Sequence, residues 1–164
     1  MKKASFIILG ILTICCCSCY SYKVYPKAYR NIENNSQKRN AYIINDSLKK
    51  ELKIFSNSNI FQIVKDSNYA DVVVKLYPIE KSFVCGQPLT ISMLTIGQLP
   101  VILPDQYLFR FDEIQNGTIT KRTIDLKIAQ RVWFWDLFVF NKNFEEKAGK
   151  ALLGEYLKNN NPLN

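Results

Sequence analysis

The sequence QYLFRFDEIQNGTITKRTIDLKIA, from Gln106 to Ala129, carries the strongest fold signal of the chain. The dipeptide Asn116-Gly117 suits a two-residue type I′ turn, because both central residues of that turn need a positive φ. Apolar and polar side chains alternate on both sides of it, as in strands with one face against a core and the other in water. The stretch therefore predicts an antiparallel β-hairpin within a sheet that is packed on one face.

Helical spacing of apolar residues predicts two helices around this hairpin. The first runs from Lys38 to Phe55, and the second from Phe144 to Lys158 with Asn143 as its N-cap. The two apolar faces consist of Ala41, Ile44, Leu48, Leu52 and Phe55, and of Phe144, Ala148, Ala151, Leu152 and Tyr156.

Further strands are predicted over Ile60–Lys65 and Val72–Val84, where Pro78 should bend the second strand or confine its far half to an edge. The tyrosine-rich stretch Tyr20–Arg30 is either a tether along a membrane surface or a first strand broken by Pro26. Together these elements predict one α+β domain, with two helices packed on one face of a mostly antiparallel sheet of about five strands.

The amino terminus has the organisation of a secretory signal peptide. Lys2 and Lys3 precede an apolar run from Phe6 to Ile14, and small or sulfur-containing residues follow up to Cys19. A cysteine directly after the apolar run is also typical of the lipobox of bacterial lipoproteins, in which the cleaved chain begins with an acylated cysteine. We therefore expect a signal peptide (1–18), a lipidated tether and polar linker (19–37), the α+β domain (38–158) and a disordered tail (159–164).

The acylated residue is expected to be Cys19, because the small Ser18 precedes it. The other candidates are Cys15, Cys16 and Cys17. Two alternatives to lipidation stay open. The apolar run is either an uncleaved membrane anchor, although it is shorter than the roughly 20 residues of a span, or the leader of a secreted protein without lipid.

The composition argues against several classes of function. Without Lys2 and Lys3, 20 basic residues stand against 14 acidic ones, a net charge of +6, and they are scattered along the chain. Scattered charge and export argue against a nucleic-acid partner. The chain has no histidine, which removes the commonest general base and metal ligand.

The positions of the cysteines and of two carboxylates also argue against a disulfide scaffold and a catalytic site. Cys85 is the only cysteine outside the first nineteen residues, so no disulfide scaffold is expected, and a buried thiol is favoured over a redox-active one. Asp112 and Glu113 are adjacent, so a strand would point them to opposite faces. We expect no enzyme, no cofactor and no metal.

A family resemblance lies between residues 19 and 84. Its elements are a lipobox cysteine followed by tyrosine, an amphipathic helix, and a Tyr-Ala-Asp sequence before an apolar strand. They are Cys19, Tyr20, Leu48, Leu52 and Tyr69-Ala70-Asp71-Val72-Val73-Val74. This pattern resembles the small outer-membrane lipoproteins typified by the lipopolysaccharide-assembly lipoprotein LptE. The helix and the Ala-Asp strand also resemble envelope proteins of the TolB amino-terminal and CsgG kind.

Two apolar segments have two interpretations each. Pro88–Pro104 has no charge and contains Gly97 and Pro100, which argues against a helix. It forms either two short buried strands or an exposed loop that contacts a membrane or partner through Leu94, Ile96, Leu99 and Val101. Arg131–Phe140, with both tryptophans, is favoured as core at the end of a strand over an interfacial aromatic loop.

The resemblance implies a non-enzymatic lipoprotein of the bacterial cell envelope. We expect it at the outer membrane, facing the periplasm, held by its acylated cysteine and acting as an assembly or interaction partner of an outer-membrane complex. The alternative is a membrane-tethered carrier of a lipid or another apolar ligand. An enzyme is the third hypothesis, and the residues give it the least support.

Overall fold

The computed structural model describes residues 20–34, 37–82, 99–133, 135–136 and 143–160. The predicted signal peptide, the lipidation candidate Cys19, the contact candidates Leu94 and Ile96, and Cys85 lie outside the described residues. In chain order the elements are β1 (Tyr20–Val24), β2 (Asn40–Ile43), α1 (Lys49–Ser58), β3 (Gln62–Val64), β4 (Val72–Leu76), β5 (Glu80–Ser82), β6 (Val101–Gln115), β7 (Thr118–Val132) and α2 (Phe144–Asn160).

The predicted hairpin is confirmed and is longer than the sequence indicated. β6 and β7 pair antiparallel in register from Gln115 opposite Thr118 to Val101 opposite Val132. The turn residues Asn116 and Gly117 have φ values of 50° and 78°, as a type I′ turn requires. These two strands form the centre of the sheet, whose order is β1-β7-β6-β4-β2-β3 with β5 also beside β6.

The sheet is mostly antiparallel, as predicted, but it has more strands than the expected five and contains two parallel pairs. The described residues form a mixed sheet of seven strands, in which β2 is parallel to both β3 and β4. Parallel neighbours need a crossover connection, and α1 provides the one between β2 and β3. The two helices still define an α+β fold.

The predicted helix from Lys38 to Phe55 is wrong in its first half. Residues 40–43 form β2, and the helix begins only at Lys49. The β2 burial pattern has period two, with Ala41 and Ile43 buried, whereas Ile44 is 52% exposed. The apolar spacing of this stretch fits a helix and a strand equally over so few residues, and pairing with β4 decides for the strand.

Side-chain hydrogen bonds fix β2 against β4 at both ends. The Asp71 carboxylate accepts from the Asn40 backbone N–H at 2.8 Å. At the other end, the Asn45 amide donates to the Leu76 carbonyl and accepts from the Leu76 N–H, at 2.6 and 2.9 Å. Asp71 of the Tyr-Ala-Asp sequence therefore has a structural role, which is to join the starts of two parallel strands.

The sequence predicted two stretches that are interrupted by proline, Val72–Val84 and Tyr20–Arg30. Val72–Val84 divides into β4 and β5 around Pro78, as the proline indicated, with residues 83 and 84 outside the described part. Of the two interpretations of Tyr20–Arg30, the first strand is the one observed, since β1 pairs with β7. The sheet thus includes residues that precede the range 38–158 expected for the domain.

The hydrophobic core lies between the sheet and both helices. The five residues predicted for the buried face of the last helix are all buried, and the helix continues to Asn160 instead of ending before a tail at 159. Phe111 of β6 lies at the centre, with ring centroids 5.4 Å from Phe55 of α1 and 6.4 Å from Tyr156 of α2. We call the sheet face that carries Phe111 the helix face and the opposite one the outer face.

Gly149 allows α2 to approach α1 closely. A Cβ at this position would lie 2.7 Å from the Asn57 carbonyl carbon and 2.8 Å from the Ser58 nitrogen. Helix propensity alone favours Gly149→Ala by about 1 kcal/mol, but overpacking against backbone costs about 1–3 kcal/mol. We expect the variant to be less stable than the wild type in chemical denaturation. A gain in stability, with Lys150→Ala near neutral, would show that the helices can separate without cost.

Candidate functional site

Three strand ends meet at one end of the sheet. Tyr20 at the start of β1 lies opposite Val132 at the end of β7, and Val132 also lies opposite Val101 at the start of β6. We call this the proximal end and define it by Tyr20, Leu99–Ile102, Arg131–Trp133 and Trp135–Asp136. The turn Asn116-Gly117 marks the distal end. Tyr20 follows Cys19 directly, so the predicted lipidation position is one residue, or about 3.8 Å between Cα atoms, from the sheet.

Large apolar side chains are exposed at the proximal end. Leu99, Ile102 and Trp135 are 52%, 48% and 51% exposed. Of the predicted contact residues that the structure describes, Leu99 is therefore accessible, whereas Val101 is 6% exposed and packs within the fold. Ile102 was missed by sequence reasoning, although the alternation of β6 could have identified it, since it points opposite to Val101.

Of the predicted aromatic segment, the structure describes residues 131–133 and 135–136, and of these only Arg131 and Val132 belong to a strand. Pairing stops at Val132, and residues 135–136 form a short turn beyond it. The interpretation of this segment as core is wrong for Trp135, which is half exposed, because the chain leaves the sheet before reaching it. Exposed tryptophan next to a predicted lipid anchor agrees with the interfacial alternative.

A buried ion pair holds this segment in place. Asp136 is fully buried, and Arg131 contacts both of its carboxylate oxygens, with 3.1 Å from Nε to Oδ2. The Ser21 hydroxyl of β1 donates to the same Oδ2 at 3.1 Å. The Asp136 N–H donates to the Trp133 carbonyl at 2.9 Å, and the Arg131 guanidinium lies 5.0 Å from the Trp133 ring centroid. We call Ser21, Arg131 and Asp136 the proximal clamp.

Positive charge accumulates beside the clamp. Burial lowers the pKa of Lys23, and the charges of Arg131 and Arg30 lower it further. The Arg30 Nε donates to the Val24 carbonyl at 3.2 Å, which keeps that cation near β1. The Asp136 carboxylate raises the pKa of Lys23 and is ion-paired with Arg131, so it offsets part of this positive charge.

A shallow groove of about 420 Å³ continues from the proximal end along the outer face. Its lining is mostly apolar and includes Tyr25, Ile102, Pro104 and Ala129, together with the exposed Lys127. The Asp105 carboxylate nearby is neutralised by the Lys81 ammonium at 2.9 Å. The groove is of the size of small-ligand sites, and an apolar lining with an exposed cation suits an apolar molecule with an anionic head.

The carboxylates of β6 do not form a working pair. As the sequence predicted, Asp112 and Glu113 lie on opposite faces: Asp112 accepts from the Tyr77 hydroxyl at 2.7 Å, and the buried Glu113 accepts from Arg122 Nε at 3.2 Å. Arg39 adds a second ion pair to Glu113 at 3.7 Å. Their separation excludes shared general acid and base work by these two groups.

The described residues contain neither a metal-binding cluster nor a membrane-spanning helix. Within the ranges that the structure describes, no cluster of three or more carboxylates or thiols is placed to hold a metal ion. Neither of the helices described there has the length and apolar character needed to cross a bilayer.

Comparisons with known proteins do not identify a family for this chain. No family model matches the chain, and no curated protein matches it. A crystal structure of a minor lipoprotein from Acinetobacter baumannii is similar at 17% identity and a TM-score of 0.28, over 76% of this chain and 87% of that chain. At this TM-score the likeness supports no argument about fold or function.

Proposed function

We propose that the protein is a non-enzymatic lipoprotein of the bacterial cell envelope, acylated at Cys19, that binds a membrane-protein partner through its proximal end. The observation that carries this proposal is the meeting of three strand ends beside the predicted lipidation position, with Leu99 and Ile102 exposed there. An apolar surface next to a lipid anchor is positioned to meet other membrane-embedded proteins.

The finer part of the proposal follows the sequence resemblance to the LptE family. In that role the lipoprotein is an assembly or interaction partner of an outer-membrane complex and faces the periplasm. Asp112 and Glu113 of β6 are each bound by another side chain, Tyr77 and Arg122, and do not act as a catalytic pair. Together with the absence of histidine from the sequence, this supports a binding function over a catalytic one.

Co-purification from membranes tests the proposal. The full-length protein with a carboxy-terminal tag is extracted in mild detergent, and proteins recovered in stoichiometric amounts are identified by mass spectrometry. We expect a membrane-protein partner whose recovery falls at least tenfold with Leu99→Asp. Ile119→Asp is the matched control, because Ile119 is 58% exposed at the distal end. Equal recovery with both variants, or no partner with the wild type, would refute the assembly role.

The groove favours a second candidate, a carrier of an apolar ligand. Its volume of about 420 Å³ and its apolar lining, which includes Ile102 and Pro104, would accept a single apolar chain. Lipid extraction from the same preparation separates the two functions. A stoichiometric lipid without a protein partner would favour the carrier, and a partner without a retained lipid would favour assembly.

A further inference from the structure

The proximal end combines two properties that a lipid surface would satisfy. It lies directly after the predicted acylation position, and it exposes Trp135, Leu99 and Ile102. Two basic side chains, Lys23 and Arg30, lie a few residues farther along the chain from Tyr20, on β1 and just after it. Interfacial contacts of peripheral proteins use this combination of tryptophan, aliphatic and basic residues.

The absence of a spacer makes contact between this end and the bilayer hard to avoid. β1 begins at Tyr20, and its register with Val132 shows that the first residue after Cys19 is already hydrogen-bonded into the sheet. An acyl chain on Cys19 therefore holds the sheet within a few ångströms of the headgroups, because one residue spans only about 3.8 Å.

The outer face is a poor surface to lay flat on a membrane. Its middle carries charges of both signs, because Asp112 and Asp125 lie among Arg110, Lys121 and Lys127, and Glu80 of β5 is ion-paired with Arg110. Desolvating so many charged side chains against a bilayer is unfavourable. Three of the seven exposed large apolar side chains of the described residues lie instead at the proximal end, from which the 15 residues of β7 extend about 50 Å at roughly 3.3 Å each.

We infer that the proximal end inserts Trp135 into the headgroup region of an anionic bilayer, and that the sheet stands upright with the Asn116-Gly117 turn about 50 Å away. This orientation rests on the acylation of Cys19 in the proposed function. It adds the surface that meets the lipid and the direction in which the domain projects.

Depth-dependent fluorescence quenching tests the orientation. The mature acylated protein is placed in vesicles of phosphatidylethanolamine and phosphatidylglycerol, in which part of the lipid carries bromine on its acyl chains. We expect tryptophan emission to be quenched, and Trp135→Phe to lower the quenched fraction about twofold, since Trp133 remains. Trp135→Phe with Ile119→Trp moves the indole to the distal end, and this second tryptophan should not restore the quenching.

Each outcome decides between orientations. Quenching of the distal tryptophan as strong as that of Trp135 would show a domain lying flat and would overturn the inference. Absence of quenching in the wild type would show that the proximal end does not touch lipid. In that case a partner that still co-purifies through Leu99 would leave the proposed function intact. Strong quenching at Trp135 without any co-purifying partner would support the orientation and refute the assembly role. A chain without an acyl group on Cys19 would refute both the orientation and the proposed function.

Discussion

Asp136→Ala is expected to lower the free energy of unfolding by about 3 kcal/mol, because it removes one partner of a buried ion pair. Asp136 is fully buried, whereas the side chain of Arg131 keeps 22% exposure. The variant leaves a largely desolvated guanidinium without its carboxylate and the Ser21 hydroxyl without its acceptor. Urea denaturation followed by circular dichroism gives the change.

A double-mutant cycle attributes that loss to the proximal clamp. Arg131→Met with Asp136→Ala removes both charges, so the double variant should be more stable than the sum of the single changes predicts. Asp125→Ala is the control, since Asp125 is an exposed aspartate on the same face of β7, and it should stay within about 0.5 kcal/mol of the wild type. A cost for Asp136→Ala no larger than this would mean that the clamp does not hold the aromatic segment.

Phe111→Ala is expected to cost about 3–5 kcal/mol, the usual range for removing a fully buried aromatic ring. The Phe111 side chain is 0% exposed and contacts rings from α1, β6 and α2. Because the cavity would be enclosed by two helices and the sheet, it can collapse only partly. Chemical denaturation with an unchanged m-value would establish that the loss belongs to the native state.

A matched control lies three residues away on the same strand. Leu108 lies on the same strand but alternates to the outer face, where it is only half-buried. Leu108→Ala should therefore cost about 1 kcal/mol, the typical value for a site outside the core. If the two variants were equally destabilised, the assignment of the helix face as the only large core of the described sheet would be wrong.

The sequence correctly predicted those elements for which several local patterns indicate the same structure. Around Asn116-Gly117, turn chemistry and alternation both favour a hairpin, and the structure has it in the expected register. In α2, the predicted buried face from Phe144 to Tyr156 is the observed one. These elements need no information from distant parts of the chain, because their period and their turn or spacing are encoded within the segment.

The stretch from Lys38 to Ser47 could not be predicted in this way. Its apolar residues fit a helical period, and the strand forms because Ala41 and Ile43 gain partners in β4, some thirty residues later. The same long-range pairing makes the sheet mixed. Local spacing carries no signal for such a partner, so the helix boundary and the parallel pairs followed only from the structure.

The predicted contacts of Leu99 and Val101 stay predictions, but the structure shows where the two side chains lie. Leu99 is exposed, and Val101 faces the interior, because a strand begins there and turns alternate residues to opposite sides. The clamp was not predicted at all. Ser21 and Asp136 are 115 residues apart and meet only because β1 pairs with β7.

The pairing of β1 with β7 also sets the order in which the domain can be completed. β1 is the first strand to be synthesised, and its partner ends at Val132, so every other described strand is made before β1 has its neighbour. Contacts so distant in sequence slow folding and leave an unpaired edge exposed in the meantime. A chain that emerges amino terminus first would benefit from a chaperone that shields β1 until residue 132 has arrived.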